Sequence, residues 1–172
     1  MARLAKFVVA VTTILTAASL PSPATAHAAS DPAADQATVE YLAFGVGINT
    51  FINSRGAPSH LDWSTDGCSA PLTGDTGRSF DFTKACIRHD FGYRNFKLLD
   101  RRFACASWTA GTYCAVGTWS YGWFWNETVR KRIDDRFLSD MKSDCSPRPW
   151  TQRYTCLAWA QTYYSAVGSP NF

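Results

Sequence analysis

The chain has 172 residues, with 17 Lys and Arg against 14 Asp and Glu. Removing 26 residues as a leader would also remove Arg3 and Lys6, so the remaining 146 residues would carry 15 basic and 14 acidic groups, a net charge of +1. This length is enough for one domain with its own core. The near-neutral balance argues against a nucleic-acid partner, because such proteins usually show a basic excess on one face.

The N-terminal segment has the pattern of a secretory signal peptide. A short basic region is followed by an apolar run from Phe7 to Leu20, which is typical of a signal sequence and too short for a membrane span. Small residues provide cleavage sites after Ala26 and after Ala28. We therefore expect residues 1–28 to be a removed signal peptide, and residues 29–172 to form a secreted, extracellular domain.

Hydrophobic periodicity and helix punctuation predict a mainly α protein with little strand content. The pattern favours a single helical domain with long loops. We also expect two antiparallel core helices to carry the catalytic pair, as the family resemblance described below implies. The predicted helices are residues 35–53, from Asp81 or Thr83 to about Leu98, residues 127–142, and residues 155–167 with a stop at Gly168. The loop at 54–78 is rich in Gly, Pro, Ser, Thr and Asp, and an aromatic-rich excursion covers 101–126.

The six cysteines all lie after the expected signal peptide, and their number is even. In a secreted chain this predicts disulfides, although spacing alone leaves the pairing open. Zinc is the competing interpretation, but no close Cys-x-x-Cys or His-x-x-x-His pair supports it. The cysteines are Cys68, Cys86, Cys105, Cys114, Cys145 and Cys156.

His89 is the candidate general base. It shares a predicted helix face with Asp90, and Asp134 lies downstream between Ile133 and Phe137 on another apolar stripe. A buried carboxylate needs a partner, and a bond to one imidazole nitrogen would leave the other free to take a proton from water. A structural histidine, and an Asp134 paired only with Arg130 one turn earlier, are the alternatives.

Asp90 is the candidate metal ligand beside that base. The segment Trp63-Ser64-Thr65-Asp66-Gly67-Cys68 adds the Asp66 carboxylate, and Gly67 can expose its carbonyl because glycine permits unusual backbone angles. Oxygen ligands of this kind suit Ca²⁺. The alternative is that Asp-Gly is an ordinary turn.

Together these segments resemble the secreted bacterial and fungal type of phospholipase A2. The resemblance rests on Asp62-Trp63-Ser64-Thr65-Asp66-Gly67-Cys68, on Cys86-Ile87-Arg88-His89-Asp90-Phe91-Gly92-Tyr93-Arg94-Asn95-Phe96, and on Arg132-Ile133-Asp134. It implies calcium-dependent hydrolysis of the sn-2 ester of a glycerophospholipid, at a membrane or micelle interface and by a monomer. His89 would be the base, Asp134 its orienting acid, and Asp66, Asp90 and the Gly67 carbonyl the Ca²⁺ ligands.

The resemblance also implies the disulfides Cys68–Cys86 and Cys145–Cys156, which leaves Cys105 and Cys114 as an additional pair. Those two cysteines lie in residues 101–126, which are expected to be an insertion. Its aromatic side chains could meet lipid or pack against the core, and sequence does not separate these two possibilities. Position 67 is a further departure, because relatives carry a larger apolar residue where this chain has Gly.

Two other functions remain open at this point. One is a secreted Ca²⁺-stabilised binding or toxin-like module on the same fold without turnover. The other is a purely structural disulfide-rich domain. A serine lipase is disfavoured, because the sequence has no Gly-x-Ser-x-Gly element.

Overall fold

A computed structural model of the chain describes residues 31–68, 80–104 and 122–168. Helices account for most of these ranges, and no β-strand occurs within them, so the predicted mainly α class is confirmed. Within the same ranges, no helix is both long and apolar enough to cross a membrane. The helices are α1 (Pro32–Glu40), α2 (Ile48–Asn53), α3 (Thr83–Leu99), α4 (Glu127–Cys145) and α5 (Trp150–Val167), with π-helical turns at Tyr41–Gly45 and Asp100–Ala104.

The first predicted helix, residues 35–53, is interrupted. It is regular through α1, loosens into the π-helical turn, and then stops at Val46, whose φ of −110° and ψ of 158° are extended. The break leaves carbonyl groups without helical partners. Arg88 and Arg136 each donate a 2.7 Å hydrogen bond to the Val46 carbonyl, and Arg136 also reaches the Phe44 carbonyl at 3.1 Å. Long-range arginine contacts, which local periodicity cannot reveal, therefore stabilise the interruption.

Helices α3 and α4 meet along the centre of the domain. Arg88 forms a buried two-point ion pair with Asp140, and its Nε lies 2.8 Å from Asp140 Oδ2. Gly92 packs directly on Ile133, because a Cβ built at position 92 would lie 3.1 Å from three Ile133 side-chain atoms. The missing side chain at position 92 thus allows the two helices to approach closely. This point lies one helical turn after His89 on α3.

The last helix begins at Trp150, one turn and a half before the predicted start at Thr155. Pro149 precedes it, and a proline at a helix start loses no helical hydrogen bond because its missing N–H would have had no partner there. The Cys145–Cys156 disulfide then links the end of α4 to α5.

Two clusters of buried side chains form the core. One packs α1, α2 and the C-terminal half of α3 around Phe51, Phe91 and Phe96, and the other packs α5 against Phe82, Phe137 and Met141. His89 lies between the clusters, because its ring is 4.5 Å from that of Tyr93, which packs against the first cluster, and 4.8 Å from that of Phe137 in the second.

Candidate active site

His89 and Asp134, the two residues proposed from sequence as the base and its orienting acid, are in direct contact. His89 Nε2 lies 2.9 Å from Asp134 Oδ1. Asp134 is 5% exposed, and the His89 side chain is 12% exposed between the rings of Tyr93 and Phe137. Because Nε2 faces Asp134, Nδ1 is the ring nitrogen left to accept a proton.

Tyr93 and Arg130 complete the surroundings of the Asp134 carboxylate. The Tyr93 hydroxyl donates a 2.9 Å hydrogen bond to Asp134 Oδ1, and Arg130 Nε donates to the Tyr93 oxygen at 3.3 Å. Arg130 Nε also lies 3.9 Å from Asp134 Oδ2. Asp134 therefore contacts both His89 and Arg130, so the two pairings considered from sequence coexist. Burial, followed by the charge of Asp134, raises the pKa of Tyr93, so its hydroxyl remains a neutral donor.

Asp90 is bound to the segment expected to supply the other metal ligands. Its Oδ2 accepts hydrogen bonds from the Thr65 hydroxyl and from the Asp66 backbone N–H, the latter at 3.2 Å. Burial and the neighbouring Asp66 charge raise the pKa of the Asp90 carboxyl, although the Thr65 hydrogen bond opposes them. The Asp90 carboxylate is thus poorly compensated, as expected for a site that favours a cation.

The Asp66 side chain points toward Arg94, whose Nη2 donates to Asp66 Oδ1 at 2.8 Å. Partial burial raises the pKa of Asp66, but the hydrogen bond and charge of Arg94 outweigh it and leave the pKa below its usual value. Gly67 has a φ of +72°, in the left-handed region that favours glycine, as its predicted unusual backbone requires.

Three kinds of contact hold the loop segment from Asp62 to Cys68 against α3. Asn95 is fully buried: its Oδ1 accepts from the Asp62 N–H, and its Nδ2 donates to the Asp62 carbonyl, both at 2.8 Å. The Cys68–Cys86 disulfide, predicted from the resemblance, closes the other end. Thr65 supplies the third contact through Asp90. The segment is therefore fixed at both ends and in its middle.

The donor set fits a hard cation. Two carboxylates and one carbonyl lie on a short irregular segment and the adjacent helix, and these are the oxygen ligands that Ca²⁺ takes. Among the described residues, no group of three or more His, Cys, Asp or Glu side chains is placed to hold a metal ion.

Sequence reasoning missed several residues that position these groups. Thr65, Arg94 and Asn95 were not singled out, and Tyr93 and Gly92 were noted only for their place in the pattern. Tyr93 follows His89 by four residues and Asn95 follows Phe91 by four, so both share a helix face with a residue of interest. Helical spacing could have indicated them, whereas the Asp66–Arg94 pair depends on the fold of the loop.

The expected insertion is described only at its ends. Cys105 and Cys114, and with them the third predicted disulfide, lie outside the described residues, as does the expected signal peptide. At the C-terminal end, Trp125 is buried in the core, so packing against the core is observed for this residue, whereas Trp123 is 82% exposed and contact with lipid stays a prediction. Buried Asp100 accepts from the backbone N–H groups of Phe124 and Trp125 at 2.9 and 2.8 Å, which anchors this end to α3.

A histidine held by a buried aspartate, beside a loop that carries carboxylates, is an arrangement that can activate a water molecule by general-base catalysis. Comparison with known proteins identifies the chain as a member of the prokaryotic phospholipase A2 family, whose model matches residues 39–108 and 118–170. It is accordingly an enzyme, a phospholipase A2.

Two fungal proteins are similar over most of the chain. A secretory phospholipase A2 of Arthroderma benhamiae is 34% identical over 158 residues, which cover 89% of this chain and 88% of that protein. A secretory phospholipase A2 of Beauveria bassiana is 30% identical over 151 residues, which cover 87% of this chain and 64% of that protein. The chain thus spans somewhat less than two thirds of the second relative.

Proposed function

We propose that the chain is a secreted, calcium-dependent phospholipase A2 that hydrolyses the sn-2 ester of glycerophospholipids to a lysophospholipid and a free fatty acid. The observation that carries this proposal is the 2.9 Å contact between His89 Nε2 and the buried Asp134 carboxylate, with Asp90 next in the chain and bound to the Thr65–Asp66 segment.

His89 acts as the general base. Its Nδ1 takes a proton from a water molecule while the water oxygen forms a bond to the ester carbonyl carbon. When the tetrahedral intermediate collapses, the same imidazole returns the proton to the departing glycerol oxygen, and the fatty acid is released. Asp134 holds the imidazole in the tautomer that leaves Nδ1 free, and it stabilises the imidazolium that forms transiently.

Asp66, Asp90 and the Gly67 carbonyl are the residues that would hold Ca²⁺. When bound, the ion supplies charge that binds the lipid phosphate and polarises the ester carbonyl. Asp66 must leave Arg94 to take part, and its exposed position permits that rotation. The partly buried Asp90 carboxylate stays in place through Thr65, so one ligand is fixed and the other adjusts.

The contacts between α3 and α4 support an antiparallel pair as the frame of this site. Arg88 meets Asp140, His89 meets Asp134 and Tyr93 meets Arg130, so contacts progress in opposite directions along the two helices. The fungal relatives are named as secretory, which supports an extracellular location for this chain, and the two described disulfides suit an oxidising compartment. We further infer action on aggregated lipid by a monomer.

Fatty-acid release from phospholipid vesicles, with and without a chelator, tests the proposal. The parent should release fatty acid only when calcium is available, and His89→Ala should abolish release while the protein stays folded and binds Ca²⁺. His60→Ala is a matched control, because His60 Nε2 also contacts an aspartate, Asp35, at 2.9 Å but lies outside this site. Substantial calcium-dependent release by folded His89→Ala would refute the base assignment.

Calorimetric titration separates the metal from the base. Asp90→Asn should weaken Ca²⁺ binding and activity together, because the site loses one of its two charged ligands. Equal Ca²⁺ affinity in Asp90→Asn and the parent would remove Asp90 from the metal role. Calcium binding by the parent without fatty-acid release would instead favour the binding or toxin-like module.

A further inference from the structure

Three cations follow one another along α3 and the π-helical turn after it, beyond the candidate active site. Arg94, Lys97 and Arg101 lie three and four residues apart, on the helix face that begins with Asp90. We call these three residues the cationic row. The backbone from Arg94 to Arg101 spans about 10 Å at the rise of a helix. Because helical side chains lean toward the N-terminus, the charged heads lie closer to His89 than this spacing suggests.

Lys97 is the central member of the row and is in contact with the surroundings of the catalytic pair. Its Nζ lies 4.8 Å from the centroid of the Trp125 ring and 5.4 Å from that of Tyr93. Tyr93 in turn donates to the carboxylate of Asp134, which holds His89. Two aromatic rings therefore fix the position of the Lys97 ammonium beside the site, whereas an ordinary surface lysine would move freely.

Lys97 lies near other positive charges, those of Arg101, Arg130 and Arg94. Arg94 is paired with Asp66, but within the described residues neither Lys97 nor Arg101 has a carboxylate at ion-pair distance. Partial burial lowers the pKa of Lys97 most, and the nearby positive charges of Arg101, Arg130 and Arg94 lower it further. An anionic group placed here would relieve that repulsion.

We propose that Lys97, with Arg101 beside it, receives the anionic headgroup of the phospholipid whose ester is presented to His89, so that the enzyme selects anionic over zwitterionic headgroups. This inference rests on the proposed function, and it names the substrate class of the same site. With 15 basic and 14 acidic residues expected after removal of the leader, the selection would come from local placement of charge and not from net charge.

The placement of Lys97 favours recognition of a single headgroup over general attraction to a charged membrane. Any exposed lysine near the lipid would contribute to general attraction toward an anionic membrane. Recognition of one headgroup instead requires an ammonium in a fixed position, and the rings of Tyr93 and Trp125 hold that of Lys97. Lysines elsewhere on the chain, such as exposed Lys142 in the last turn of α4, therefore provide a test of the difference.

The experiment measures hydrolysis of monomeric short-chain phosphatidylglycerol and phosphatidylcholine, below the concentration at which they aggregate, so that no membrane surface is present. The parent should prefer phosphatidylglycerol. Lys97→Met, which keeps an unbranched side chain against the two rings, should reduce the ratio of kcat/KM values about threefold to fivefold, the effect of one partly exposed charge pair. Arg101→Gln should reduce it less, because Arg101 is exposed, and Lys142→Met should leave it unchanged.

A binding measurement separates this inference from the proposed function. His89→Ala protein, titrated with the same two monomeric lipids in the presence of Ca²⁺, should bind phosphatidylglycerol more tightly, and the difference should shrink when Lys97→Met is added. If the parent releases no fatty acid, the proposed function fails, while the binding ratio still decides the inference.

Two outcomes would overturn the inference. One is an unchanged lipid preference in the Lys97→Met, Arg101→Gln double variant, with folding verified by circular dichroism. The other is a preference that occurs on vesicles but not with monomeric lipid, which would identify attraction to a charged membrane surface.

Discussion

Asp134→Asn is the sharpest perturbation of the candidate site, because it changes one atom of a buried group whose contacts are all assigned. Asp134 Oδ1 accepts from both His89 Nε2 and the Tyr93 hydroxyl at 2.9 Å. An asparagine has one carbonyl oxygen and one NH₂ group. If the NH₂ group faces His89, two hydrogen-bond donors meet, the NH₂ and the Nε2–H. This favours the other tautomer, in which Nδ1 carries the hydrogen and cannot act as a base.

The expected loss follows from these two contacts. In serine proteases, the same exchange behind the catalytic histidine lowers kcat about 10⁴-fold through the wrong tautomer. In the other orientation the asparagine oxygen takes the place of Oδ1 and still accepts from both His89 and Tyr93, but the NH₂ then replaces Oδ2 near Arg130, and the negative charge that stabilises the imidazolium is lost. We therefore expect kcat to fall on the order of 10²–10⁴-fold, which is about 3–5 kcal/mol of transition-state stabilisation.

The assay is fatty-acid release at saturating Ca²⁺, paired with calorimetric Ca²⁺ titration. Ca²⁺ affinity should be unchanged, because Asp134 has no contact with Asp66 or Asp90 among the described residues. Asp35→Asn is the matched control, since Asp35 is also 5% exposed and also lies 2.9 Å from a histidine Nε2. A kcat loss below about fivefold in folded Asp134→Asn, or an equal loss in Asp35→Asn, would refute this reasoning.

Three further variants probe the contacts around the site. Tyr93→Phe removes one hydrogen bond to Asp134 but keeps the ring, so kcat should fall about tenfold, without a new break in the pH profile because the raised Tyr93 pKa keeps the phenol neutral. Arg94→Gln frees Asp66, and calorimetry should show Ca²⁺ binding up to about fivefold tighter, as for an exposed ion pair. Asp81→Ala should lower the free energy of unfolding in urea by about 1 kcal/mol at neutral pH, because Asp81 accepts from the first N–H of α3.

The sign of the pH dependence at Asp81 follows from its lowered pKa, caused first by the Thr83 hydroxyl and then by the Thr83 N–H. A carboxyl with a lowered folded-state pKa stabilises the fold above its unfolded pKa, and this contribution is lost as pH falls through the folded value. The difference between Asp81→Ala and the parent should therefore disappear in strong acid. A difference that persists there would contradict the assignment, as would weaker Ca²⁺ binding in Arg94→Gln or unchanged kcat in Tyr93→Phe.

Sequence predicted the long helices well because each is marked by strong local signals. Asn126 precedes α4 and accepts from the Val129 N–H at 3.0 Å, which is the capping role its residue type favours. The interruption at Val46 was not predictable in the same way, because it depends on Arg88 and Arg136 reaching over from distant helices. The start of α5 was predicted five residues too late, at residue 155, whereas Pro149 directly precedes Trp150 and a proline is well suited to the start of a helix.

In the candidate site, too, some contacts could be predicted from the sequence and others could not. The contact between His89 and Asp134 could be anticipated, because a buried acid on one helix requires a partner and the adjacent helix offered an imidazole. The Asp66–Arg94 pair could not, because Arg94 is only an exposed-looking cation in the helical pattern, and its partner lies on an irregular loop. Local spacing therefore indicates which side chains share a helix face, but not which loop residue will meet them.

The contacts imply that the two halves of the site differ in rigidity, and that this difference suits their proposed tasks. The catalytic pair is held by buried groups, and misplacement of a buried hydrogen-bonded carboxylate is costly, so its geometry is present before substrate arrives. The side chain of Asp66, the proposed metal ligand, pairs with Arg94 at an exposed position, where an ion pair contributes little free energy. Under the proposed function, Ca²⁺ would displace Arg94 at little cost while the proposed base, His89, stays aligned with Asp134.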